Sequence, residues 1–264
     1  MTAAGDLPLE AWLETLRALA AGAGAAITAV ADDRRTERKD DGSPVTKADR
    51  LSEAVLLAGL ETLVPRLPIV SEERFEAQGD IDTGDAPHWL VDPLDGTKEF
   101  AAGGDDYTVN IGLAVGGDAA LGVVFVPAER ACYFGAVGLG AWKTIAGAPA
   151  RRIHARAQPA DGGVALVSRR HNSAGTTDAF LAERGFGDAE RRPLGSSLKF
   201  CVLAEGAADA YPRLGPTMEW DACAGHAILA AAGGTMRMAD GAPFRYGRPG
   251  RKNPSFFASG SAQA

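Results

Sequence analysis

The stretch Trp89-Leu90-Val91-Asp92-Pro93-Leu94-Asp95-Gly96-Thr97 decides how the rest of the chain reads. Three apolar residues in succession predict a buried strand. That strand runs straight into two carboxylates, a proline and a glycine. Ile69-Val70 does the same, ending in Ser71-Glu72-Glu73. Ligands in α/β folds gather at strand ends of this kind, where the backbone leaves the sheet.

Upstream, Leu9, Trp12, Leu13, Leu16 and Leu19 recur at helical spacing. Residues 46–63 do so again through Leu51, Val55, Leu56 and Leu60, until Pro65 and Pro68 stop the helix. Between them, residues 31–42 are polar and charged, a solvated loop or a hairpin turn punctuated by Asp41-Gly42. Downstream, residues 109–115, 121–126 and 131–134 read as antiparallel strands separated by Gly116-Gly117 and Pro127. Residues 135–144 read as a Gly-rich connection containing Trp142. A boundary at 146–149 divides the chain into an α+β N-terminal lobe, 1–147, and an α/β C-terminal lobe, 148–264. The second lobe is expected to hold strands at 164–168 and 208–211 and helices at 176–183 and 197–204. A further Ala-rich helix at 221–232 is closed by Gly233-Gly234.

Composition narrows the function classes. A chain of 264 residues, 46% hydrophobic and 23% charged, can bury a sizeable core in one large domain or two joined lobes. A net charge of -7 argues against a nucleic-acid polymer as partner, since such binders carry a basic surface. A small polyanion stays possible if bound cations supply the positive charge. Cys132, Cys201 and Cys223 show no metal spacing and read as small buried residues in a reducing compartment. No segment reads as a membrane span, and Asp6, Glu10 and Glu14 are unlike a signal peptide. The expected location is therefore cytoplasmic, with peripheral contact at the inner membrane left open.

Carboxylates stand in four places where a core-facing fold does not want them: Asp49, Glu72, the pair Asp92 and Asp95, and Asp221. Each has an ordinary reading when taken alone. Asp221 serves as a helix N-cap, Asp92 and Asp95 as turn residues, and Asp49 and Glu72 as solvated side chains. Together they say more. Pro93 stiffens the turn, so two carboxylates and the Leu94 carbonyl can converge on one small volume. Like charges that close repel unless a cation lies between them, and magnesium is a hard ion that takes oxygen ligands. Gly96 lacks a Cβ, so a phosphate can approach the backbone there.

These residues resemble the inositol monophosphatase superfamily of magnesium-dependent, lithium-sensitive phosphatases. The resemblance rests on Ser43-Pro44-Val45-Thr46-Lys47-Ala48-Asp49, Val70-Ser71-Glu72-Glu73, the WLVDPLDGT stretch and Glu219-Trp220-Asp221-Ala222-Cys223-Ala224-Gly225. It covers the chain from about Asp41 to Phe256-Phe257. Finer features are similar to the CysQ type, the 3′(2′),5′-bisphosphate nucleotidases. These are Gly96-Thr97-Lys98-Glu99-Phe100, Gly195-Ser196-Ser197-Leu198-Lys199-Phe200, Tyr211-Pro212-Arg213-Leu214-Gly215-Pro216-Thr217 and Lys252-Asn253-Pro254-Ser255-Phe256-Phe257. Lys47 departs from the family pattern, where many relatives carry a small residue, and reads first as a solvated helix side chain, since lysine is mostly exposed, with a phosphate contact as the alternative.

The resemblance implies a layered α-β-α-β-α sandwich that binds two or three magnesium ions. Glu72, Asp92 and the Leu94 carbonyl would hold one ion; Asp92, Asp95 and Asp221 a second; Asp49 a third or its water. Thr97, paired with Asp49 or Glu72, would orient a metal-activated water for in-line attack on phosphorus, with no phosphoenzyme. Gly96 and Thr97 would bind phosphate through their N–H groups. Lys98, Ser196, Ser197, Lys199, Arg213 and Asp221 complete the expected substrate contacts, Lys199 and Arg213 gripping a second phosphate. Lys199 reads otherwise as a solvated helix residue, Arg213 as a surface salt bridge, and the serines as a helix cap. His226 reads as structural, and His88, His154 and His171 carry no motif. The implied reaction is hydrolysis of adenosine 3′(2′),5′-bisphosphate to AMP and phosphate, linked to sulfate assimilation, in a possible homodimer. An inositol monophosphatase or sugar phosphatase on the same scaffold is the alternative, and an inactive metal- or nucleotide-binding regulator a third.

Overall fold

In the computed structural model, which describes residues 7–39, 42, 44–159, 162–169 and 174–260, the chain opens with helix α1 (Leu9–Thr28). A short hairpin, β1 (Thr36–Arg38) and β2 (Pro44–Thr46), leads into α2 (Lys47–Leu60). The polar stretch is thus a hairpin; Asp41 of its expected turn lies outside the described residues. β3 (Ile69–Ser71), the short α3 (Glu72–Gln78), β4 (His88–Asp95) and the one-turn α4 (Thr97–Ala101) follow. Five more strands come next: β5 (Thr108–Val115), β6 (Asp118–Val126), β7 (Ala131–Ala136), β8 (Gly140–Ile145) and β9 (Arg151–Ile153). The remainder is β10 (Val164–Ser168), α5 (Ala174–Ala182), β11 (Glu190–Leu194), α6 (Leu198–Ala204), β12 (Ala210–Arg213), α7 (Glu219–Ala231), β13 (Thr235–Met238) and β14 (Phe256–Ser259).

Strands β3 to β9 form one seven-stranded sheet in sequence order, antiparallel except for the β3–β4 pair. A second sheet has the order β11-β10-β12-β14-β13. The two-residue period of β4 assigns its faces. Trp89 and Val91 join a core with Trp12, Leu13 and Leu16 of α1 and Leu56 and Leu60 of α2. Leu90 points the other way, into a core with Phe200 of α6, Trp220 and Ile228 of α7, and Tyr211 and Phe256 of the second sheet. On the far side of that sheet, Leu181 of α5 packs with Ala165, Phe186 and Ala210. The layers therefore run helix, sheet, helix, sheet, helix, as expected.

The Gly-rich connection at 135–144 is instead structured. β7 continues to Ala136, β8 pairs back along it, and Trp142 stacks on Phe134 with ring centroids 5.8 Å apart. Three glycines had hidden the alternation there. β9 and β11 also escape the apolar pattern. Both are sheet edges with polar sequences, RRI and ERRPL, because an edge strand keeps one flank in water.

Helix α7 is sandwiched between the sheets and rests on glycines of the larger one. A Cβ at Gly112 would lie 2.7 Å from the Ala224 nitrogen, and one at Gly122 only 2.0 Å from the Ala224 oxygen. Gly122→Ala must push α7 off the sheet. It is expected to lower stability by about 1–3 kcal/mol, the usual cost of overpacking. An unchanged midpoint in urea denaturation would show that α7 does not depend on this contact.

Candidate active site

The end of β4 is fixed from both sides. Asp92 accepts a hydrogen bond from the Leu94 N–H at 3.0 Å, closing a turn, and the pairing with β5 slips between Asp92 and Asp95. Ser52 of α2 donates to the Pro93 carbonyl at 2.6 Å, and the Leu94 side chain is sunk in the core beneath α1 and α2. Asp221 lies in the first turn of α7, where its carboxylate accepts from the Met218 N–H at 2.8 Å. It is the third residue of the helix rather than its cap. One carboxylate oxygen each of Asp92, Asp95 and Asp221 lies within 4.8 Å of the others. Asp95 is further held by the Ser197 N–H at 2.5 Å and the Asn110 amide at 3.4 Å. Ser197 gives its own hydroxyl to Asn110 at 2.7 Å.

Thr97 meets Asp49, not Glu72. Its hydroxyl oxygen is 2.9 Å from Asp49 Oδ1 and 3.0 Å from the Leu94 carbonyl. The other Asp49 oxygen accepts from the Thr46 N–H at 2.8 Å and the Thr46 hydroxyl at 2.6 Å. Asp49 is therefore a buried residue oriented by three donors, and the solvated reading fails. Lys47 beside it is exposed.

Glu72 starts α3 at the end of β3. Lys39, from the β1–β2 hairpin, reaches over and places its ammonium 2.9 Å from Glu72, 2.8 Å from Glu73 and 3.0 Å from Glu76. Nothing in the linear pattern brings this lysine to α3, because the strand that leads to it, Thr36–Arg38, is polar and exposed.

One cleft gathers the remaining candidates. Gly96, Thr97, Lys98, Ser196, Ser197, Lys199, Arg213 and Asp221 all line a cavity of about 200 Å³, together with Glu72 and Asp95. Lys199 is 3% exposed and donates to the carbonyls of Leu194 and Ser196, which overturns its reading as a solvated residue. Arg213 makes no salt bridge among the described residues. It donates to the Gly215 and Pro216 carbonyls and to the Ser168 hydroxyl. Thr108 and Asn110, which support Ser197 and Asp95 from β5, were not legible, since each sits singly in an apolar strand. His226 bonds the Tyr246 hydroxyl at 3.0 Å within an aromatic cluster, a structural role.

Crowding marks the electrostatics. Burial, reinforced by Glu72, Asp95 and Asp221, pushes the Asp92 carboxyl well above the usual range. Burial and then Asp221 raise Asp95 to about 7, against the pull of Lys199. Burial raises Glu72 to about 8 even with Lys39 opposing it. Three convergent carboxylates that resist ionisation together, all hard oxygen donors, suit a magnesium-like cation.

A model of the inositol monophosphatase family matches residues 9–256. The chain is 43% identical over 226 residues to 3′(2′),5′-bisphosphate nucleotidase CysQ of Salmonella typhimurium strain LT2, covering 84% of this chain and 88% of that one. It is 41% identical to the CysQ protein of Escherichia coli strain K12, covering 94% and 99%. The crystal structure of CysQ from Bacteroides thetaiotaomicron, a bacterial member of the inositol monophosphatase family, superposes with a TM-score of 0.78 at 34% identity, covering 95% of this chain and 98% of that one.

A carboxyl whose pKa is raised by folding keeps its proton where the unfolded chain has lost it. The metal-free protein is therefore expected to lose stability as pH rises from about 4 to about 8, the upper value being that of Glu72. Added magnesium should raise the melting temperature more at pH 8 than at pH 5. Thermal melts across this range test both, and a metal-free melting temperature that climbs with pH would contradict the crowded cluster.

Proposed function

The chain belongs to the inositol monophosphatase family, and from that premise we propose that it is a magnesium-dependent phosphatase that hydrolyses adenosine 3′(2′),5′-bisphosphate to AMP and phosphate. The observation that carries this reading is the opening of the Asp95 and Asp221 carboxylates, and of Thr97 with Asp49 buried behind it, onto one cleft. The CysQ relatives, similar over nearly their whole length, are named 3′(2′),5′-bisphosphate nucleotidases, which supports this choice of substrate class.

Glu72, Asp92, the Leu94 carbonyl, Asp95 and Asp221 would hold the magnesium. When bound, it supplies positive charge against the phosphate and acidifies a water. The chain's own groups do the rest. Thr97, with its proton turned to Asp49, offers a lone pair to the attacking water; as it takes the water's proton it gives its own to Asp49 Oδ1, on a carboxylate already fixed by Thr46. Helix α4 begins at Thr97, so the first N–H groups of that turn have no carbonyl partner within the helix and can meet phosphate oxygens. A cysteine nucleophile is not used: Cys201 and Cys223 are buried, and burial pushes both thiols well above their usual range.

Lys199 and Arg213 suit the second phosphate. Arg213 engages its Nε and both terminal nitrogens with protein acceptors, yet each terminal nitrogen carries a second proton. Ser196 lines the cleft beside them, and Lys98 stands at its edge.

Phosphate release with magnesium from adenosine 3′,5′-bisphosphate and inositol 1-phosphate, run in parallel, tests the substrate. The first should be preferred by about 100-fold in kcat/KM, or ~3 kcal/mol of transition-state discrimination. The reverse preference would keep the phosphatase and discard the nucleotidase. Release from neither would favour a binding regulator. Asp95→Asn should lower kcat by about 10³-fold (~4 kcal/mol) while leaving the metal-free melting temperature unchanged or higher, since it removes a repelling charge. Unchanged kcat at saturating magnesium would refute the role of Asp95.

A further inference from the structure

The segment Arg251–Asn253 is bound to the start of α7 by main chain and side chain alike. The Glu219 N–H donates to the Arg251 carbonyl at 2.8 Å, and Lys252 bridges Met218. The Asn253 N–H donates to the Thr217 carbonyl at 2.8 Å, and its side-chain amide bonds the Met218 carbonyl. Met218 is the residue whose N–H fixes the Asp221 carboxylate. The segment therefore sets the peptide that aims Asp221.

Arg251 carries this fixation to the other carboxylate-bearing elements. Its side chain is 1% exposed, although arginine is rarely buried. Nε donates to Asp80, just beyond α3, at 2.7 Å, and Nη2 donates to the Ile81 carbonyl. Nη1 lies 3.3 Å from Glu219, the first residue of α7, and 3.4 Å from Nε2 of His88, the first residue of β4. His88 Nδ1 faces the Ala86 carbonyl at 2.7 Å, so it carries the ring proton and leaves Nε2 as an acceptor for the guanidinium. Arg251 also adopts a left-handed backbone, φ 56°, which a residue other than glycine rarely does. Glycine would ease that conformation but bring no guanidinium.

We propose that Arg251 is a positioning residue for the metal site: one buried guanidinium joins α7, β4 and the segment after α3, and so holds Asp221 in register with Asp92 and Glu72. It touches neither the cleft nor the reacting atoms, and it acts through the Glu219–Met218 turn. Glu219, at 0% exposure, has no other cationic side chain bonded to it among the described residues.

The proposal rests on the reading of the carboxylates as a cation site. Calorimetric titration of the metal-free protein with magnesium separates the two. If the wild type binds no magnesium, the cation-site reading fails and Arg251 has nothing to position. If it binds, Arg251→Met should weaken binding by about 10-fold or more, the usual effect of removing an orienting partner. Arg251→Lys should recover only part of this, because an ammonium cannot span all three elements. At saturating magnesium, kcat should stay within about 3-fold of the wild type, since no substrate contact is lost. Asp80→Asn removes the negative charge that faces the guanidinium, at a side chain that is 26% exposed, and it serves where Arg251→Met does not fold. It should weaken magnesium binding by about 2- to 3-fold. A lower melting temperature with unchanged magnesium affinity in the folded variants would overturn the proposal and leave Arg251 a purely structural residue.

Discussion

Carboxylates pressed together in a partly dry cleft repel one another, and the architecture around them exists to withstand that repulsion. Asp92 and Asp95 are fixed by the kinked end of β4, which Ser52 and the buried Leu94 pin in place. Asp221 is carried on a helix held between two sheets, against strands so close that glycines must face it. A looser scaffold would let the acids part and relax to ordinary pKa values. This one keeps them in place, so the electrostatic cost of folding is stored where a cation can relieve it.

Most of this was legible in the sequence because it is written locally. WLVDPLDGT places an apolar strand and its polar end within nine residues, and the Asp221 helix announces itself by its Ala-rich run and its closing glycines. What was not legible depends on pairing across the sheet or on distant segments. β8 was hidden by glycines: Gly135 lies against the backbone of Gly140 and Ala141, and Gly138 and Gly140 take positive φ where the chain turns back. Edge strands such as β11 are polar because water covers one flank. Lys39 and Arg251 lie in segments with no apolar period, and only the fold shows the acids that receive them. Asn110 was unreadable for the opposite reason: a single amide in an apolar strand gives no pattern, yet it supports Asp95.

The two sheets contribute differently to the cleft. β4, with α3 and the first turn of α7, brings the acids; α6, the residues before it and β12 bring Ser196, Lys199 and Arg213. The contact between the two groups runs through Asp95 and Ser197. Lys199 adds a longer-range attraction to Asp95, which offsets part of the burial penalty on that carboxyl.

That Asp95–Ser197 tether is made by a peptide N–H, a donor that every amino acid except proline possesses. The Ser197 hydroxyl, through Asn110, and the Lys199 ammonium, at longer range, add to this hold on the acid. A main-chain anchor of this kind survives a change of residue at position 197, where a side-chain donor would be lost together with the residue that carries it.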